Sequence, residues 1–418
     1  MGMERTFAFL DDVYRDYYKR NRLPPPPGFQ QREFGFLFHG KTFFRRHQGY
    51  MSPDALWREI EQRAPAHVYH SSAYYERPGA PTMVEKGWVG ADLVFDLDAD
   101  HLEGADKMTY GEMLEAVKHK FLLLVDDFLF DEFGFQPKDV FLVFSGSRGY
   151  HAHVRDPRVL ELGSPSRREI VDYITGKVET DEFVTEPTVS VTMGRPMKSP
   201  AIPPVKAGGW RGRLSRATVE QLKALADDPR EPEARAKALA SETGMGLKEA
   251  KVFVEALSGS PESTKKRLAA LSEGNAGFYQ GIGAGSYRKV FSYHLARLRG
   301  WCDEPVSSDV KRLIRAPGSL HGKTGLKAVP LTRDKVDSFD PLVDAVVLDD
   351  EPVSINVARP IKFDLAGSTF DLKPGVQKLP VFAAVFTILR RGALMEGDTP
   401  PAPPPPKAAP QAPAGGPG

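Results

Sequence analysis

The chain has 418 residues, 41% of them hydrophobic and 27% charged, with a formal net charge of +1. That length allows about two or three domains with real cores, and the near-neutral balance excludes a globally basic nucleic-acid binder, so any anionic partner must be met by local segregation of charge. The single cysteine, Cys302, excludes an internal disulfide framework and suits a reducing compartment; Asp11 and Asp12 interrupt any signal-peptide core, and apolar runs such as Phe121 to Val125 are too short to span a bilayer, so a soluble, cytoplasmic protein is expected.

Phe7, Leu10, Val13, Tyr14 and Tyr17 recur at helical spacing and predict an N-terminal helix, which Pro24 to Pro27 interrupt. Residues 30 to 50 read as short strands or a hairpin around Gly40. Ser52 as cap and Pro53 at the first helical position open a short helix through Leu56, Ile60 and Arg63. Leu93, Val94 and Phe95 predict an apolar strand ending in Asp96-Leu97-Asp98. Thr109 and Glu112 form a capping-box pattern for the next helix, with Met113, Val117, Phe121, Leu124 and Phe128 as its buried stripe and Gly134 suited to its C-terminal end. Val140 to Phe144 and Tyr150 to Val154 read as strands on either side of a turn at Ser145 to Gly149. Ser164-Pro165 starts another helix, with Ile170, Tyr173 and Ile174 on its apolar side.

This order of strand, helix, strand and strand predicts an α/β (α+β) fold with mixed β-sheets flanked by helices. Residues 213–283, rich in Ala, Leu, Glu and Lys, read as an all-helical insertion that separates a first core segment (1–212) from a second (284–398). A further helix is expected from Ser286 to Leu298, and sheet chemistry resumes from Asp303 to Leu331. Residues 399–418 are almost wholly Pro, Ala and Gly, which cannot bury a core, so a disordered tail is expected.

Alternation along a strand puts Asp96 and Asp98 on one face. Side-by-side carboxylates repel unless a cation lies between them, and hard oxygen ligands of this kind suit Mg²⁺ or Mn²⁺. A bare Asp-x-Asp is more often a solvated acidic turn; the apolar strand before the pair and the motif that follows argue for the metal. That motif, Ser145-Gly146-Ser147-Arg148-Gly149-Tyr150-His151-Ala152-His153, offers a hydroxyl, backbone N–H groups, a guanidinium fork and two alternating imidazoles, a set suited to a triphosphate. His153 is read as a packed histidine. From Lys311 to Lys327 the chain carries Lys311, Arg312, Arg315, Lys323 and Lys327 without an acid, interleaved with Gly318, Gly322 and Gly325; Arg315, His321 and Lys323 suit phosphate oxygens. Gly322-Lys323-Thr324 lacks the upstream glycine of a P-loop.

The stretches REFGF (Arg32 to Phe36), RRHQGY (Arg45 to Tyr50), VFDLDAD (Val94 to Asp100), SGSRGYHAHV (Ser145 to Val154) and DEPVSSDVKRLIRAPGSLHGKTGL (Asp303 to Leu326) together resemble the small, catalytic subunit of archaeal and eukaryotic DNA primases, closest to the archaeal form. They stand in the expected order over about three quarters of the chain. The resemblance implies a primase-type catalytic core with a variable helical insertion. It implies three metal-binding aspartates, Asp96, Asp98 and Asp303 rather than Asp309, holding Mg²⁺ or Mn²⁺. It also implies nucleotide contacts from Ser145, Arg148, His151, Arg315, His321 and Arg46. Implied partners are a primase large subunit, single-stranded template DNA and nucleoside triphosphates, and the implied activity is two-metal nucleotidyl transfer that releases pyrophosphate. Archaeal members commonly carry a small zinc knob between the two strand motifs. Residues 101 to 138 contain only His101 and His119 and no cysteine, so no structural zinc is expected. Readings that share some of these features are a primase-polymerase or end-joining polymerase, a non-catalytic nucleic-acid-binding subunit, and a metal phosphohydrolase.

Overall fold

The computed structural model describes residues 2–102, 104–192, 195–277 and 281–399, so all but the first residue of the expected disordered tail lies outside the described residues. The chain forms two compact units. The first combines Met1–His119, Pro137–Leu162 and Asp309–Gly418; the second combines Lys120–Gln136 and Gly163–Ser308.

In the first unit, α1 (Glu4–Arg20) buries Leu10, Tyr14, Tyr17 and Tyr18, and α2 (Pro53–Arg63) buries Leu56 and Ile60. The predicted cap of α2 is present: the Ser52 side chain accepts from the Ala55 N–H. β1 (Phe34–Leu37) and β2 (Arg45–Gln48) form the expected hairpin, and the first sheet continues with β3 (His67–Ser71) and the strand Leu313–Arg315 beside it. β4 (Ala73–Tyr75) pairs with β5 (Trp88–Ala91), and between them the short helix α3 (Met83–Lys86) is closed by a Thr82–Glu85 capping box.

The second sheet carries the carboxylates. Its order is Val329–Leu331, β7 (Val140–Phe144), β8 (Gly149–Val154) and β6 (Leu93–Asp98). β6 and β7 run in the same direction, as the intervening α4 (Tyr110–Leu123) requires, but β8 lies between them and is antiparallel to both. The pairings of the two sheets are therefore all antiparallel. A third sheet (Gly375–Pro380, Pro352–Val357 and Ala393–Met395) and the helix Val381–Leu389 complete the core around Tyr14, Phe34, Phe36, Leu320, Ile355 and Val385. Each such side chain, fully buried, contributes about 1.5–3 kcal/mol.

The capping box of Thr109 and Glu112 forms as expected. The buried stripe differs at its start: Leu114 is buried and Met113 only partly, because Leu114 lies three residues before the buried Val117 and so shares its face. From Leu124 to Glu132 the helix widens to π winding, and Phe133 N–H reaches back five residues to the Phe128 carbonyl. Leu124, Val125, Phe128 and Leu129 of this stretch are all buried.

In the second unit, helices stand at Ser164–Ile174, Gly209–Asp227, Pro232–Thr243, Leu247–Leu257, Pro261–Ser272 and Ala284–Leu298, with a hairpin of Thr188–Thr192 and Arg195–Lys198. Trp210 packs on Phe128 with ring centres 5.9 Å apart, and Phe253 meets Tyr287 edge-on at 5.5 Å. Asp303 precedes the turn of helix Glu304–Ser308, and its carbonyl accepts from the Val306 and Ser307 N–H groups. Among the described residues no helix is long and apolar enough to cross a membrane.

Candidate active site

The pairing of β6 with β8 sets Asp96 opposite His151 and Asp98 opposite Gly149. Directly opposed residues share a face, so both carboxylates and His151 stand together. His151 Nε2 is 3.4 Å from Asp96 Oδ1. Burial alone pushes the Asp96 carboxyl up; the charge and hydrogen bond of His151, with Arg312 and His153, outweigh it and hold Asp96 below the usual carboxylate range. Asp98 is raised, first by burial and further by Asp100 and Asp96, against the Asp100 N–H and Arg148. Arg148, at the end of the Ser-Gly turn, hydrogen-bonds Asp100 and lies 3.6 Å from Asp98.

Two glycines make this geometry possible. Gly146 has φ +81°, and a Cβ there would meet His321 Cβ and the Leu326 carbonyl at 3.0 Å. At Gly149 a Cβ would sit 2.0 Å from the Leu97 carbonyl oxygen, so only glycine lets β8 approach the carboxylate strand at this point. The Ser145 hydroxyl accepts from Ser147 N–H at 3.3 Å and so shapes the turn. His153 is fully buried, with Nδ1 3.9 Å from Asp92, consistent with a packed histidine.

The basic loop closes on the same turn. Thr324 Oγ1 donates to the Gly146 carbonyl at 2.5 Å. Arg315, on the strand paired with β3, donates to His67 Nδ1 at 2.8 Å and to the Tyr69 hydroxyl at 3.3 Å, while its Nη1 is buried without a partner among the described residues. His321 meets His67 edge-on at 5.1 Å. Burial, then Arg315, His67, Lys323 and His151, hold His321 well below the usual imidazole range; burial and Arg315 push His67 down to about 2. The result is a neutral pair of imidazoles beside buried positive charge, an environment that gains from polyphosphate.

Arg46 pairs with a different carboxylate. Its Nε donates at 3.2 Å to Glu33, a fully buried carboxylate that also receives Lys86 Nζ and the His47 N–H. Asp303 belongs to the second unit. Sequence reading missed His67, Glu33 and Thr324. The alternation His67-Val68-Tyr69 was the available signal for the first; the partners of the other two are remote in sequence.

Among the described residues no three carboxylate, imidazole or thiol groups are gathered closely enough to enclose a cation by themselves. The β6 pair supplies hard, partly exposed oxygens, one on a carboxyl whose proton affinity burial has raised. That fits an ion such as Mg²⁺ or Mn²⁺, which takes one or two carboxylates and fills its remaining positions with water and phosphate oxygens.

The sequence model of a family described as DNA primase small subunit matches residues 95–333, from Phe95 within β6 to Arg333 beyond the basic loop. The chain belongs to this family. It is 42% identical over 406 residues to the DNA primase small subunit PriS of Methanocella arvoryzae, covering 93% of this chain and 98% of that one. Against the DNA primase small subunit PriS of Methanothrix thermoacetophila the identity is 40% over 401 residues, covering 92% and 98%; for that of Methanococcoides burtonii it is 39% over 394 residues, covering 93% and 98%. Most of the site as built here, Asp96, Asp98, the Arg148 turn and the Arg315–His321 loop, lies inside the stretch that defines primase small subunits.

Proposed function

We propose that this chain is the catalytic subunit of a primase that makes short RNA primers, with DNA as a further product, on a single-stranded DNA template. The observation that carries the reading is the adjacency of two carboxylates on one strand face, Asp96 and Asp98, to the Arg148 turn, which the Thr324–Gly146 bond joins to the basic loop. In this reading Asp96 and Asp98 would hold Mg²⁺ or Mn²⁺, which would supply Lewis-acid activation of a 3′-hydroxyl and charge neutralisation on the triphosphate.

The chain's own groups do the remaining work. Arg315 and His321, with His67 behind them, receive the triphosphate of the incoming nucleotide, where fixed positive charge favours departure of pyrophosphate. His151 keeps Asp96 ionised and oriented. Arg148, engaged with Asp98 and Asp100, is placed to turn toward phosphate oxygens, the Ser145 hydroxyl supports its turn, and Arg46 is held by Glu33 for contact with the nucleotide. The activity is that of a nucleotidyltransferase in DNA replication, acting as a heterodimer with a primase large subunit.

The test is template-dependent incorporation of labelled nucleotide by the isolated chain, with and without Mg²⁺ or Mn²⁺. Asp96→Ala should abolish dinucleotide synthesis while circular dichroism and the unfolding midpoint stay native. Near-normal synthesis by that variant refutes the assignment; release of phosphate from simple esters without template points to a phosphohydrolase instead.

A further inference from the structure

A groove of about 590 Å³ in the first unit lies outside the cluster just described, and its lining includes Tyr110, Phe363, Phe386, Arg359, Lys362 and Arg390. Most of it comes from residues 342–390, beyond the 95–333 stretch matched by the family. Its aromatic rings form one connected set. Phe363 and Phe386 are 5.0 Å apart, Tyr110 and Phe386 6.0 Å, and Phe363 lies nearly parallel to Phe370 at 5.1 Å and 18°. The Arg390 guanidinium sits over Tyr110 at 4.5 Å and over Phe386 at 5.2 Å.

Arg359, Lys362 and Arg390 are exposed, and none is in an ion pair among the described residues. The carboxylate of the lining, Asp364, is engaged by the Thr369 hydroxyl at 2.5 Å. Tyr110 ties this groove to the carboxylates. Its hydroxyl donates to the Ser147 carbonyl at 2.7 Å, one residue before Arg148, and both Asp98 and Arg148 are close enough to perturb its phenol.

Exposed cations beside aromatic rings, one of them, Arg390, lying over Tyr110 and Phe386, are the elements with which proteins hold single strands: phosphates meet the charges and bases lie on the rings without sequence preference. A lone nucleotide is already provided for by the Arg315–His321 loop. We propose that this groove holds a single strand of nucleic acid beside Asp98, with phosphates on Arg359, Lys362 and Arg390 and a base against Phe363. The placement rests on the polymerase reading only for which strand it is, template or growing primer; the chemistry that recognises either is the same.

The test is fluorescence anisotropy of a fluorescein-labelled oligodeoxythymidylate, together with extension of an annealed RNA primer. It compares Lys362→Glu/Arg390→Glu with a control of equal charge change, Lys265→Glu/Lys266→Glu, at exposed positions of helix Pro261–Ser272. If the strand is the template, the groove variant loses more than about ten-fold in oligonucleotide affinity relative to the control. Its log affinity against log salt then becomes shallower by about 1.4, two cations at about 0.7 each. If the strand is the primer, oligonucleotide affinity holds and the KM for annealed primer rises by a similar factor, with the KM for nucleotide unchanged. Equal behaviour of groove variant and control in both assays overturns the proposal. Wild-type protein that binds the oligonucleotide but makes no primer overturns the polymerase reading and leaves the groove standing.

Discussion

Thr324 Oγ1 donates a 2.5 Å hydrogen bond to the carbonyl of Gly146, joining two loops whose residues stand 178 apart in the chain. The same hydroxyl also accepts from Leu326 N–H, so it is held on both sides. Thr324→Val keeps the shape and removes the donor. A lost buried hydrogen bond of this kind is worth about 1–3 kcal/mol. The expected outcome is a KM for nucleotide raised roughly five- to ten-fold with a smaller fall in kcat and unaltered oligonucleotide binding. A steady-state KM-against-kcat split checks it, and an unchanged KM contradicts it.

Glu33 and Lys86 are both fully buried and paired, and Glu33 also carries Arg46. Glu33→Gln leaves the Lys86 ammonium buried without a counter-charge, which typically costs about 3–5 kcal/mol. Adding Lys86→Met to that variant should restore most of the stability but not the placement of Arg46. Urea midpoints of the single and double variants test the first part, and nucleotide KM the second; a double variant no more stable than the single one contradicts the pairing.

Gly149→Ala sets a Cβ against the Leu97 carbonyl inside the β6–β8 ladder. The strands must part, and a cost of about 3 kcal/mol, the upper end for overpacking, is expected together with loss of synthesis. Gly163→Ala is the comparison: a Cβ there meets only Pro165 Cδ, at 3.7 Å, and the change should stay within about 0.5 kcal/mol. Chemical denaturation of the two variants side by side decides it.

Burial pushes His70 down to about 3, helped by Arg32 and His153, and pushes His153 and His294 down to about 4; His67 is lower still, at about 2. In the unfolded chain each takes up a proton near pH 6.5. Below that pH the unfolded state therefore binds more protons, and stability falls as pH falls, levelling off only beneath the folded values. Each of these histidines contributes up to about 1.4 kcal/mol per pH unit in that window. Unfolding free energies at pH 7, 6 and 5 should drop steeply, and His70→Gln should flatten the profile. A level profile between pH 7 and pH 5 contradicts the assignment.

The carboxylate sheet was legible in the sequence because its apolar runs are short, strongly hydrophobic and bounded by turn residues, as at Val140 to Phe144 before Ser145-Gly146. The caps at Ser52 and Thr109 were equally plain, since both partners of each lie within three residues. The third sheet was not: its strand Pro352–Val357 is half exposed and mixes polar with apolar residues. The Glu33–Lys86–Arg46 set was hidden because topology, not spacing, brings it together. For Asp303 the residues alone left Asp309 as an alternative, and only likeness to primases favoured the former.

β8 also bears on how such proteins drift. Its neighbours β6 and β7 grip it from both sides, and His151 and Gly149 each answer one particular carboxylate across the ladder. Inserting or deleting a single residue within β8 would turn every side chain beyond that point to the opposite face. A change in the number of residues within β8 is therefore far more disruptive than replacement of a side chain at a position, such as Tyr150, that answers neither carboxylate.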